Sequence, residues 1–525
     1  MLFNSFAFLY GYLPVVIAGF FLLGRHSPRL AQGWLLLASL FFYGWWKPEY
    51  VWLLVVSIVA NYALGEWIRR QPLGTGRRKA GLVAGIAGNL AALAYYKYAG
   101  FILTNLDAAT GWSLSIGDVV LPVGISFYTF TSIAYIVEVY EEKVQESDFI
   151  RYGLFISYFP HLVAGPVLYH NEVIPQFGRP ETYRISQINW AVGFTQFFIG
   201  LFKKVVLADG INNALASAAL QPAFWRAEHG LPVTFLDGWV GALGYTLQLY
   251  FDFSGYSDMA LGLSRIFGVT LPANFHSPYK SINIAEFWRR WHMTLGRWLR
   301  NYVYIPLGGN RRGAIRHHFN LLATMALCGL WHGAGWTFVV WGVYHGVLIV
   351  GASLFRAARN AIGVGGGGSV VTRVASRALT FLLVVVGWVI FRAADLPDAM
   401  AVLDGMRGAN GVVMREADLA MLGTWGTWLQ AAGVRFERQY YMPLLPAVLW
   451  IVPLLLVTWL APNTQEILGK FEPVLDTYGR GEPLRAPAWL TWTPRLRWAL
   501  VIAVMAFVSI TWLRSGQTEF LYFRF

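Results

Sequence analysis

Apolar runs of bilayer-crossing length recur along nearly the whole chain, separated by short polar loops. A helix needs about 17 to 25 mostly apolar residues to cross the hydrocarbon core. The runs at 6–23, 30–46, 51–68, 80–103, 124–140, 149–168, 190–207, 235–253, 319–333, 336–355, 378–391, 442–461 and 498–513 approach or reach that length. They predict an all-α polytopic membrane protein with roughly a dozen spans. Some runs are short or broken by glycine, which predicts re-entrant segments. No internal repeat is visible, unlike the duplicated halves common in transporters.

Three stretches depart from this pattern. At 100° per residue, Ile284, Phe287, Trp288, Trp291, Leu295, Trp298, Leu299 and Tyr302 fall within one arc of about 120°, so 283–304 predicts an amphipathic helix in the interface plane. Arg289, Arg290, Arg297 and Arg300 occupy the other side, and His292 sits at the margin of the apolar arc. Asn283 can cap this helix, with Glu286 completing a capping box. Residues 401–438 are moderately polar and contain glycine, and predict an extramembrane excursion. The glycines at 365–368 lack a following Lys-Ser/Thr pair, so they read as a flexible linker rather than a phosphate loop.

Composition agrees with the membrane reading. Of 525 residues 56% are hydrophobic and 13% charged, against about 25% charged in soluble proteins; mean hydropathy is +0.47. The net charge of +13 would point to nucleic acid in a soluble protein. Here Lys and Arg cluster in short loops, as the positive-inside rule expects, so no nucleic-acid partner is predicted. Arg25 and Arg29 in one loop, and Arg69, Arg70, Arg77, Arg78 and Lys79 in another, face the cytoplasm with the amino terminus outside. The first run lacks a basic flank and a small-residue cleavage site, and reads as a retained span. Cys328 is the one cysteine, which excludes a disulfide framework and a Cys-rich metal site.

The chemistry concentrates in two motifs, Glu286-Phe-Trp-Arg-Arg-Trp291-His292 and Leu330-Trp331-His332-Gly333. A neutral imidazole near pH 7 can take a proton from a hydroxyl and return it to a leaving group. An ionisable residue within a span is costly and reads as functional by default. For His332 two readings stand open: a catalytic imidazole, or a histidine hydrogen-bonded to a neighbouring helix. His345, about 13 Å beyond Trp336 along a helix, reads as packing or positioning. Cys328, one turn before His332, could form an acyl-cysteine, but a lone cysteine in an apolar helix usually packs as a small hydrophobe. Tyr250-Phe-Asp252-Phe-Ser-Gly-Tyr-Ser-Asp258 places two carboxylates at the end of a span. Without nearby histidines they make a poor metal site, and an ion-pair or hydrogen-bonding role is favoured. Tyr158-Phe-Pro-His161-Leu-Val-Ala-Gly-Pro166 predicts a helix break at membrane depth, with His161 a candidate to face a cavity.

These residues carry a resemblance as well. Ser126-Phe-Tyr128-Thr-Phe, the 158–166 motif, Gln248-Leu-Tyr-Phe-Asp252-Phe-Ser-Gly-Tyr-Ser-Asp258-Met-Ala and Phe287-Trp-Arg-Arg-Trp-His-Met-Thr-Leu resemble the membrane-bound O-acyltransferase family. Tyr304-Ile-Pro-Leu-Gly-Gly-Asn-Arg, Leu330-Trp-His-Gly-Ala-Gly-Trp and Phe520-Leu-Tyr-Phe-Arg-Phe525 extend it to the last residue. The nearest branch is bacterial and includes the alginate O-acetyltransferase membrane subunit. The departures lie in the linker after Asn360 and in 401–438.

The resemblance implies one acyltransferase domain over 1–525, with core motifs in 121–356, and a ring of spans around a thinned centre with a funnel or tunnel. It implies catalytic roles for His332 and His292. Trp331, Trp291, His345, Gln248, Asp252 and Asp258 are expected to support them, and Arg289, Arg290 and Arg297 to attract donor phosphates. No metal and no bound cofactor are expected, acetyl-CoA or another acyl thioester being the donor substrate. The expected setting is the bacterial inner membrane, among membrane lipids, with an extracytoplasmic acetyltransferase partner and polysaccharide synthesis and export machinery. The acceptor is then a secreted or cell-wall polysaccharide such as alginate. Two alternatives remain open: a lipid or protein acceptor, and a transporter without chemistry that uses its histidines as a proton relay.

Overall fold

The computed structural model describes residues 1–112, 117, 119–144, 148–216, 223–362, 369–438, 442–475, 486–515 and 520–521. The glycines at 365–368 and the last four residues of the terminal motif lie outside them. The chain is predominantly helical; among the described residues the only sheet is a parallel pair, Val413–Arg415 with Arg435–Glu437, inside the predicted polar excursion. Ala7–Gly24, Pro48–Arg69, Gln187–Leu215, Trp336–Ala361 and Val370–Arg392 are long and apolar enough to cross a bilayer, and Leu444–Leu460 and Leu496–Trp512 are shorter apolar helices. Val15, Leu22, Val59, Leu449, Leu460, Val504 and Phe507 point outward from such helices. Lipid tolerates these side chains while each helix satisfies its own backbone. The protein is a multi-pass, all-α membrane protein.

Contacts gather into two compact units: Met1–Phe202, Ser254–Asn274 and Asn463–Arg524 in one, Lys203–Phe253 and Phe275–Pro462 in the other. The Phe235–Ile266 helix contributes to both. Its 32 residues span roughly 48 Å at 1.5 Å per residue. The predicted run at 235–253 therefore continues unbroken through the Asp252 and Asp258 motif instead of ending there.

In the first unit the Ile125–Tyr140 helix is buried on almost every side. The Phe149–Ser157 helix stops at Tyr158, whose backbone turns out of the helical region, and Phe159–Leu162 starts anew. The break leaves polar backbone to satisfy at depth. Phe159 N–H donates to Ser39 Oγ at 3.1 Å, and the Phe155 carbonyl meets His161 Nε2 at 2.8 Å. His161 is thus a buried repair of the interrupted ladder, where the sequence motif had suggested a cavity-facing residue. Arg78 also departs from expectation. It is 3% exposed and donates to the Val139 and Tyr140 carbonyls at 3.2 and 2.9 Å, closing the end of a neighbouring helix.

In the second unit the Ala314–His332 and Trp336–Ala361 helices cross backbone to backbone. A Cβ on Gly329 would collide with the Phe338 carbonyl oxygen, and one on Gly342 with that of Met325. Small residues at a crossing allow the approach that packing in lipid favours. Gly342→Val should therefore separate the two helices. Overpacking of this kind costs about 1–3 kcal/mol, so the unfolding midpoint in detergent should fall. Gly351→Ala, on the same helix with nothing within 4 Å of the new methyl, should leave the midpoint unchanged or raised. Equal midpoints for both variants would refute the close crossing.

Candidate functional site

The apolar arc at 283–304 is real, but the helix is not continuous. Asn283 Oδ1 accepts from Glu286 N–H at 2.9 Å and starts Ile284–Arg290. The Glu286 carboxylate turns to the Ile282 N–H at 2.9 Å, so the predicted box closes one residue early. Trp291 is then extended, His292 takes a left-handed backbone with φ 44° and ψ 52°, and Met293–Leu299 follows. A non-glycine residue in that region costs of order 1 kcal/mol. The turn carries the imidazole away from the interface margin, where the arc had placed it, into the protein. His292 is 1% exposed, with its ring perpendicular to Phe253 at 4.8 Å and 6.1 Å from Trp331. Burial lowers the imidazole from its ordinary 6.5 to about 3, so it stands neutral.

His332 is the last residue of Ala314–His332, and Gly333 continues in extended conformation. Glycine is required at 333 because a Cβ there would strike the Phe338 ring. The His332 ring is 4% exposed and packs edge-on to Trp331, Trp341 and Phe391, with centroids at 4.8, 5.1 and 5.3 Å. The two histidines, forty positions apart in sequence, thus share Trp331 as a neighbour. Trp341 in turn touches His345 at 5.0 Å. His345 is fully buried, accepts from Trp288 Nε1 at Nδ1 (3.3 Å), and presents Nε2 to Gly387. Its ring locks three helices together. Trp291 belongs to the same aromatic body, 4.9 Å from Trp388 and 5.0 Å from Phe275. Cys328 is completely buried one turn before His332.

The three arginines expected to act together do different things. Arg289 is exposed. Arg290 is held by Glu286 at 2.9 Å and lies 3.3 Å from His276 Nδ1. Arg297 is half-buried. The aspartates also separate, since six residues of helix turn them about 120° apart. Asp252 pairs with Lys204 at 2.7 Å, and Lys204 with Asp209 at 2.8 Å, all three buried. Asp258 accepts from Thr464 Oγ1 at 2.6 Å and Gln465 Nε2 at 2.9 Å. Gln248 is buried one turn before Asp252.

Sequence reading singled out neither Lys204 nor the rings of Trp341, Trp388 and Phe391. Lys204 lies near the end of the apolar run at 190–207, where it resembles a loop cation. The rings lie in runs where an aromatic beside the site looks like any packing residue. The assembled cluster sets two imidazoles, buried among aromatic side chains, one in the break of an interrupted helix and one at the end of a long helix. Such a setting can hold an apolar acyl chain fragment while a histidine handles a proton.

The profile of the membrane-bound O-acyltransferase family matches residues 101–365. A peptidoglycan O-acetyltransferase of Helicobacter pylori is 39% identical over 440 residues, 78% of this chain and 81% of that protein. A protein named "Probable alginate O-acetylase" from Pseudomonas aeruginosa is 35% identical over 552 aligned positions covering 100% of both chains. Its namesake from Pseudomonas syringae pv. tomato is 41% identical over 445 residues, 82% of this chain and 79% of that protein. These relationships set aside the transport reading: the chain belongs to the membrane-bound O-acyltransferase family and is an acyltransferase.

Proposed function

We propose that this protein takes an acetyl group from a cytoplasmic thioester, acetyl-CoA, for O-acetylation of a secreted or cell-wall polysaccharide such as alginate. It acts in the bacterial inner membrane as one domain over 1–525, donor and acceptor meeting in a funnel among roughly a dozen spans. The observation that carries the site assignment is the convergence of His292 and His332 on Trp331. Relatives that acetylate two chemically different polymers, by their names, support a carbohydrate hydroxyl as the final acceptor. The partners on this reading are an extracytoplasmic acetyltransferase that completes the transfer and the polymer's synthesis and export machinery.

In the proposed step His332 takes the proton of the acceptor hydroxyl as its oxygen attacks the thioester carbonyl. The tetrahedral intermediate then collapses, the carbon–sulfur bond breaks, and the departing thiolate recovers a proton. His292, buried and neutral, orients the acceptor or stabilises the developing oxyanion. The exposed Arg289, with Arg297, draws in the donor's phosphates. Arg290, already engaged by Glu286, holds the helix instead. Because both imidazoles are almost fully buried, substrates must reach them by a narrow passage or by parting the aromatic packing.

His332→Ala, at normal membrane levels, should lower acetyl transfer by about 10²–10⁴-fold, the range of general acid–base catalysis. The measurement is polymer acetyl content in cells and label transferred from acetyl-CoA in proteoliposomes. Unchanged acetylation would end the mechanism, and altered acyl phospholipids with intact polymer acetylation would move the acceptor to lipid. Arg289→Ala should raise KM for acetyl-CoA with kcat unchanged, whereas Arg290→Ala should lower the unfolding midpoint. A KM effect confined to Arg290→Ala would reverse these two assignments.

A further inference from the structure

One cavity lies apart in sequence from every residue assigned to acyl transfer. It encloses about 390 Å³ and is walled by residues that include Phe42, Trp46, Lys47, Tyr50, Leu121 and Val163. That volume falls within the usual range for small-molecule sites, roughly 300–1,000 Å³. It sits where the Pro28–Gly44 helix ends and the Pro48–Arg69 span begins. Arg25 and Arg29 flank the start of Pro28–Gly44, its opposite end, so the positive-inside rule puts the cavity at the extracytoplasmic surface. Trp45, Trp46 and Trp52 around it are 53%, 47% and 58% exposed. Tryptophan in that position marks the headgroup level of a bilayer.

The lining has two chemistries. Phe42 and Val163 are buried and apolar, with Leu121 and Trp46 extending the same wall. Tyr50 is fixed by donating its hydroxyl to the Val120 carbonyl at 3.0 Å. Lys47 supplies a side-chain cation, its Nζ 5.7 Å from the centre of the Tyr50 ring. Among the described residues no carboxylate forms an ion pair with it; Glu49, two residues on, is exposed and is not among the lining residues. A cation beside an apolar chamber at headgroup depth matches an amphiphile with a phosphate at one end and hydrocarbon at the other. A polysaccharide would need many hydroxyl partners, which these walls do not offer.

We propose that this cavity binds an anionic phospholipid of the outer leaflet, with Lys47 on the phosphate and a stretch of acyl chain against Phe42, Leu121 and Val163. The site is additional to the acyl-transfer reading and does not depend on it.

Native mass spectrometry of the full chain after partial delipidation tests this. Wild type should retain one phosphatidylglycerol per chain, preferred over phosphatidylcholine by about fivefold, the discrimination one lysine confers at an anionic surface. Lys47→Glu should abolish that preference and Lys47→Arg should keep it. Val120→Trp, which narrows the cavity without touching the charge, should also expel the lipid, while unfolding midpoints confirm that each variant is folded. Equal retention of the two lipids by wild type, or equal phosphatidylglycerol retention by wild type and Lys47→Glu, overturns the proposal. Displacement of the lipid by millimolar inorganic phosphate reassigns the site to free phosphate, and displacement by polyuronate oligosaccharide reassigns it to the polymer; either outcome overturns the lipid assignment.

Discussion

Two helices that touch through glycine hold the candidate site in place. Where Ala314–His332 meets Trp336–Ala361, Gly329 and Gly342 let the backbones approach closer than any side chain would permit. In lipid no hydrophobic gradient drives helices together, so this close packing has to supply the association. It fixes the angle at which His332 leaves the end of one helix and Trp341 and His345 leave the side of the other. The aromatic edges around His332 follow from that crossing.

The same logic explains why irregular backbone clusters around the histidines. A regular helix would carry His292 along the surface with the arginines. The left-handed turn at His292 reverses this, sending the ring inward while Arg289 remains exposed. Strain of this kind persists where surrounding packing over-determines it, and Phe253, Trp291 and Trp331 supply that packing. At His332 the helix simply stops, and Gly333 admits the Phe338 ring. Two unlike devices thus place two imidazoles against one indole. The break at Tyr158 shows the contrast: there His161 restores a lost backbone hydrogen bond and stays packed.

How far these features were legible in the sequence depends on their range. Apolar runs announce helices, because lipid permits little else, and the Asn283 cap was readable because capping is local. The interruption at Trp291 and His292 was hidden. Phe287, Trp291, Leu295 and Trp298 keep helical spacing and remain buried on both sides of the break, so periodicity alone cannot report it. Asp252 and Asp258 were recognisable as structural carboxylates, but their partners, Lys204 and the Thr464–Gln465 pair, come from distant segments. Arg78 looked like one more cytoplasmic loop charge, yet tertiary packing makes it a cap for carbonyls some sixty residues on. Both histidines were visible as ionisable residues beside apolar runs. Trp331 stood out with them, but its contact with both rings did not, since a tryptophan next to one histidine in sequence says nothing about a second histidine in space.

Burial also constrains what chemistry the cluster can support. A charged imidazole is expensive in so apolar a setting, and His292 is accordingly held neutral. A neutral imidazole so reluctant to take up a proton suits the orienting or oxyanion-stabilising part proposed for His292 and leaves proton abstraction to His332. In the proposed step the cost falls on the transition state, where positive charge grows on His332 as negative charge grows on the carbonyl oxygen. At low dielectric such an opposed pair stabilises itself strongly when close. On that proposal both charges arise and vanish together, so neither imidazole has to hold an isolated cation among the aromatic rings.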